Sequence, residues 1–145
     1  MKRIFLFACT VFITASTFAK DINVSDKAQK AFETTFTDAR NVVWTNTGHL
    51  YTARFTQDGA ASFVNYDEQG NFISARRYYL GAKLPIDIQC SLQKKFAGKT
   101  VFGVTEITVA NEVCYFVKME DVSGWTSLRI DNSRTIEVLE TFEKQ

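Results

Sequence analysis

Little in this sequence supplies the raw material of catalysis or metal binding. It has one histidine, His49, and three cysteines, of which Cys9 sits in an apolar N-terminal run. A zinc site draws on closely spaced His and Cys ligands, and Cys90, Cys114 and His49 form no such pair. A Ser/His/Asp triad would have to use the same His49, and no Gly-x-Ser-x-Gly elbow is present. The seven glycines are scattered, which excludes a glycine-rich phosphate loop. Asp67, Glu68 and Asp131 fall at turns, where an aspartate more often bonds its own backbone. No catalytic, cofactor-binding or metal-ligating residue is assigned, and no cofactor is expected; the chain reads as a non-enzyme.

Charge of one sign is also missing. With 17 basic and 16 acidic residues, the chain has neither a strongly basic nucleic-acid face nor an acidic tail. Long apolar runs are confined to the start, where Lys2 and Arg3 precede Ile4 to Ile13, and small residues then lead to Thr17-Phe18-Ala19. This pattern predicts a cleavable secretory signal over 1–19, and the run is too short to serve as a stable membrane anchor. The expected product is a single domain over 20–145, periplasmic or secreted and not inserted in the membrane. That compartment permits a Cys90–Cys114 disulfide. However, Cys90 falls off the apolar stripe of its helix and Cys114 on the strand face away from the core, so two free thiols are the simpler expectation.

What the chain does have is aromatic residues, thirteen Phe among them. Ser25 and Asp26 read as a helix start, a capping hydroxyl followed by an acid, with Ala28, Ala31, Phe32 and Phe36 on one face. After Asp38 the period changes to two. Strands are expected around Val42 and Trp44, from Leu50 to Phe55, from Phe63 to Tyr66 and from Phe72 to Tyr79, with Asp58-Gly59 the strongest hairpin signal. The only proline, Pro85, opens a second helix in which Ile88, Leu92 and Phe96 share a face, and Gly98 ends it. Strands follow at Val101 to Val109, Val113 to Met119, Trp125 to Ile130 and Thr135 to Phe142.

The two stretches superpose. Phe32, Phe36 and Trp44 match Leu92, Phe96 and Val104 at an offset of 60, and Tyr51, Phe55, Val64, Tyr66, Asp67 and Phe72 match Tyr115, Met119, Leu128, Ile130, Asp131 and Ile136 at 64. Repeat halves of about 24–81 and 82–145 are expected. Phe32-x3-Phe36, Ala39, Val42-Val43-Trp44, Tyr51-x-Ala53-x-Phe55, Asp67-x2-Gly70 and Leu84-Pro85, behind an export signal, resemble the PepSY-like proteins grouped with β-lactamase-inhibitory-protein-like (BLIP-like) domains. The resemblance implies an α+β fold: a tandem of helix-plus-four-stranded meanders whose antiparallel strands join into one curved sheet, helices on one side and the concave side open. It also implies that named relatives bind or inhibit enzymes through that side. This chain lacks the paired disulfides expected of the secreted lactamase inhibitor.

Strand parity points to the same surface. If Tyr51, Ala53, Phe55, Tyr115, Val117 and Met119 face the helices, their neighbours face away. Arg54, Phe63, Phe116, Lys118, Trp125 and Arg129 then share an open face as candidate protein-binding residues, aromatic and arginine anchors of the kind that dominate interfaces. Arg76-Arg77-Tyr78-Tyr79 resembles a base-stacking patch, but alternation sends one Arg and one Tyr to each side, and a bulge near Gly70 would set which. The expected function is an exported, non-catalytic binding or inhibitory module for a protein or peptide. The alternative is a small-molecule or lipid carrier with a cavity between helices and sheet, lined by Phe32, Phe36, Trp44, Phe96 and Phe102.

Overall fold

The computed structural model describes residues 23–144, so the expected signal at 1–19 lies outside the described residues. The elements run α1 (Asp26–Thr35), β1 (Arg40–Thr47), β2 (Leu50–Gln57), β3 (Ala60–Tyr66), β4 (Phe72–Tyr79), a 3-10 turn (Gly81–Lys83), α2 (Ile86–Lys95), β5 (Thr100–Val109), β6 (Glu112–Glu120), β7 (Gly124–Ile130) and β8 (Ile136–Glu143). The eight strands form one open antiparallel sheet in chain order. Among the described residues no helix is long and apolar enough to cross a membrane.

Alternation decides what the sheet buries. Asp58 and Gly59 both adopt left-handed backbone (φ 51° and 68°), the primed turn that matches strand twist. That turn pairs Phe55 with Ser62 and Ala53 with Val64. Ala53, Phe55, Val64 and Tyr66 therefore face α1 and pack with Ala28 and Phe32. In the second half Tyr115, Val117, Met119, Leu128 and Ile130 pack with Ile88 and Leu92 of α2. Both helices thus cover the same side of the sheet.

The helix termini repeat their geometry. Phe36 donates its N–H to the Phe32 carbonyl and Phe96 donates to that of Leu92, each at 2.8 Å. Ser25 does not cap α1 with its side chain; its hydroxyl instead donates to the Glu68 carbonyl at 2.7 Å, tying α1 to the β3–β4 turn. α2 is tied to the β7–β8 turn at the corresponding place, through Arg134 Nε and Asp87 Oδ2 at 2.7 Å. The turns match too: Gly70 donates to the Asp67 carbonyl at 3.1 Å and Arg134 to that of Asp131 at 3.0 Å.

Four bulges reset the phase of strands. An irregularity follows Arg40 in β1, and β4 carries one extra residue at Ile73. Phe102 is the extra residue in β5, and Leu139 is the extra residue in β8. The Ile73 bulge answers the question of β4. Arg76 pairs with Phe63 and faces outward, whereas Arg77 pairs with buried Ser62 on the helix side.

Candidate functional site: the open face of the sheet

The sheet surface away from the helices is uncovered among the described residues, and pairing sets its rows. One row runs Arg54, Phe63, Arg76, Ile107, Cys114 across five strands. The next runs Thr56, Ala61, Tyr78, Thr105, Phe116, Arg129, Glu137. Both rows cross the junction of β4 and β5, so the two halves of the chain present one continuous surface.

A cavity of about 970 Å³ opens on this face, lined among others by Thr56, Tyr78, Leu80, Phe102, Phe116 and Leu139. Strands lie about 4.8 Å apart, which would put β2 and β8 nearly 30 Å apart in a flat sheet. Residues of both strands nonetheless line one hollow, so the sheet is bent and this face is its concave side.

Two cationic clusters flank the hollow. The Arg54 and Arg76 guanidiniums sit 5.9 Å and 5.6 Å from the centre of the Phe63 ring, and Arg76 also lies 5.8 Å from that of Tyr78. On the other side the Lys118 and Lys144 ammoniums each lie 4.9 Å from the centre of the Trp125 ring, which packs perpendicular to Phe102 with ring centres 5.0 Å apart. Each exposed cation–π contact contributes about 0.5–1 kcal/mol; its larger effect is to hold the charge in place. Beyond the first cluster Thr52, Asn65 and Ser74 form a hydrogen-bonded polar row, Thr52 to Asn65 at 2.7 Å and Asn65 to Ser74 at 2.8 Å.

All six candidate binding residues stand on this face. Arg54 and Phe63 belong to the first cluster and Lys118 and Trp125 to the second. Phe116 pairs with Arg129 between them, and Arg129 also reaches Glu137 at 3.4 Å. Arg76, Tyr78 and Phe102 join the face without having been assigned to it from sequence. Phe102 corrects the expected helix-side cavity, because its bulge turns it outward and leaves it 55% exposed. Phe32, Phe36 and Phe55 stack on one another at 4.8–5.3 Å and fill the space beneath α1. A crevice of about 540 Å³ remains at the flank of α1, lined by residues including Glu33, Phe36, Val42 and Trp44.

Cys90 is exposed on α2 and Cys114 lies on the open side, and both thiols are free. His49 meets Glu68 at 2.6 Å at the tips of two turns. Among the described residues no group of three or more His, Cys, Asp or Glu side chains could hold a metal ion.

An open eight-stranded antiparallel sheet with both helices on one face is the BLIP-like fold. The particular neighbours come from Bacteroides. A BLIP-like protein of Bacteroides fragilis matches with a TM-score of 0.60 and 18% identity over 84% of this chain and 87% of that one. A DUF2874 family protein of Bacteroides ovatus matches with 0.58 and 17% over 83% and 88%. A candidate periplasmic protein of Bacteroides eggerthii matches with 0.57 and 14% over 83% and 89%. At such identities the likeness is one of fold. No family model and no curated protein matches the chain.

Proposed function

We propose that this chain is an exported, non-catalytic binding or inhibitory module that docks a protein or peptide on the concave face of its sheet. The observation that carries this reading is the placing of aromatic and cationic side chains. Tyr115, Val117 and Met119 are buried, while Phe116 and Lys118 between them stand outside the core. Rigid, pre-positioned aromatic and arginine anchors suit a partner surface because little entropy is lost when they bind.

The neighbours support it by analogy. One is named a BLIP-like protein and another a candidate periplasmic protein, in keeping with the export signal read from residues 1–19. The proposal includes descent of the two halves from one helix-plus-four-strand unit, kin to the PepSY-like proteins. Matching helix ends, matching Asp67 and Asp131 turns and bulges after the start of both β1 and β5 support the duplication. A carrier with a ligand between helices and sheet is the weaker reading, since Phe32, Phe36 and Phe55 occupy that space themselves.

The test is capture from the exported fraction, wild type against the Phe116→Ala/Trp125→Ala double variant. Both residues lie outside the core, so circular dichroism should be unchanged while the captured partner is lost. Equal capture by the two proteins would remove this face as the docking site.

A further inference from the structure

We infer that the segment docking on the concave face is an extended polypeptide with an apolar anchor between two carboxylates, in the pattern acid-x-apolar-x-acid; this rests on the docking proposal above. The inference comes from which charges are left over. Arg77, Lys99, Arg129, Arg134 and Lys144 each have a carboxylate within ion-pair distance. Among the described residues Arg54, Arg76 and Lys118 have none, although each is held against an aromatic ring. A guanidinium fixed on a ring keeps its N–H fork free, and that fork matches a carboxylate.

Their spacing sets the pattern. Arg76 shares a row with Cys114, two strands away on β6, and Lys118 lies four residues further along β6. With about 4.8 Å between strands and about 3.3 Å per residue, Arg76 and Lys118 are separated by roughly 16 Å along a diagonal, less where the sheet bends. The midpoint of that diagonal is Thr105, which pairs with Tyr78 on one side and Phe116 on the other. In an extended segment alternate side chains point the same way, so residues i, i+2 and i+4 face the sheet across about 13 Å. The acids at i and i+4 meet Arg76, with Arg54 beside it, and Lys118, and the residue at i+2 enters the hollow between Tyr78 and Phe116. Glu137 is engaged by Arg129 and Glu140 lies on the far rim. Arg40, also without a carboxylate partner among the described residues, stands at the β1 edge of the Thr56 row with no ring beneath it. The acid-accepting positions about the hollow are therefore the three unpaired cations held on aromatic rings.

A Trp44→Phe background leaves Trp125, beside Lys118, as the sole tryptophan reporter. The probes are synthetic seven-residue peptides with Glu-Ser-Phe-Ser-Glu at the centre, a version with both Glu replaced by Lys, and a version with Phe replaced by Ser. The first should shift Trp125 emission and bind at least tenfold more tightly than either control. Arg54→Gln/Arg76→Gln and Phe116→Ala should each weaken it to a similar extent, the first also flattening its salt dependence. Equal binding of the Lys peptide, or indifference to Arg54→Gln/Arg76→Gln, overturns the inference; if Phe116→Ala still abolishes binding, the docking face itself survives. Silence of Trp125 with every peptide also overturns it, and the capture experiment then decides the face. Binding of phosphatidylglycerol vesicles in place of the acidic peptide would overturn it in favour of a lipid surface.

Discussion

Three aspartates hold three turns by the same device. Asp67 accepts the backbone N–H groups of Gln69 and Asn71 at 2.9 Å and 2.8 Å, and Asp131 accepts that of Thr135 at 3.0 Å. Asp121 accepts those of Ser123 and Gly124 at 2.8 Å and 2.9 Å and an ion pair from Lys99. Each carboxyl is held below the usual carboxylate range, Asp67 chiefly by the Asn71 side chain, Asp121 by Lys99 and Asp131 by the Ser133 hydroxyl. A depressed folded-state value means that the stability is present above the unfolded value of about 3.9 and is lost as pH falls through the folded one. Burial acts in the opposite sense on the Tyr66 phenol, pushed up to about 12, so its contribution is intact below about pH 10 and is lost as pH rises through the folded value. Thermal melts should show a level Tm between about pH 5 and 9 and a fall below about pH 4. Asp67→Asn with Asp131→Asn should flatten the acid limb, and an unchanged limb would show that these turns do not set it.

Three glycines decide how elements approach one another, Gly81 against Val101 of β5 and two others against backbone. A Cβ on Gly124 would lie 2.0 Å from the Phe142 carbonyl oxygen of β8. One on Gly70 would lie 2.6 Å from the Lys27 carbonyl of α1, on a backbone already at φ +81°. Gly48, at φ +70° with nothing nearby, is the control that carries backbone strain alone. Gly124→Ala should push β8 off β7, raising amide exchange along Trp125–Phe142 and costing about 1–3 kcal/mol by overpacking. Gly48→Ala should cost about 1–2 kcal/mol with exchange in β8 unaltered. The same local steric facts explain what was legible beforehand. Asp58-Gly59 fixes a hairpin and with it the phase of β2 and β3, so Arg54 and Phe63 could be placed from residues alone. Phe116 and Lys118 followed from the same two-residue alternation, and Trp125 and Arg129 from carrying that face across the repeat offset. Arg76 could not be placed and Phe102 is expected on the helix side, because each lies at or beyond a one-residue bulge and a bulge inverts parity without a composition of its own. Ser25 has the composition of a cap, but the Glu68 carbonyl, 43 residues away in sequence, takes its hydroxyl.

For the molecule as a whole, the edges and the seam matter most. β1 and β8 are the free edges, and each carries a bulge; β8 also presents Glu137, Glu140 and Glu143. Bulges and edge charge discourage strand addition, in keeping with the proposed docking on the concave face and not at an edge. That face is continuous only while β4 and β5 stay paired, from Ser74–Val109 to Tyr79–Val104. On the helix side the seam is closed by Glu106, which accepts the Tyr79 hydroxyl at 2.6 Å and Arg77 Nη1 at 3.3 Å. Burial, then the bond to Glu106, raises the Tyr79 phenol well above its ordinary value, so it stays a donor throughout the range where the fold is stable. Ala60 and Tyr79, from the first half, belong to the core cluster under α2. Packing is thus shared across the seam, and the halves should unfold as one unit. Trp44 lies against Phe32 in the first half and Trp125 against Phe102 in the second, so single-tryptophan variants report each half separately. In urea, Trp44→Phe and Trp125→Phe should each give one transition, and circular dichroism should coincide with fluorescence in both. Glu106→Ala leaves the Tyr79 hydroxyl without its acceptor, a loss of about 1–3 kcal/mol; it should lower both midpoints together, whereas a midpoint that moves for one tryptophan alone would show that the seam does not couple the halves.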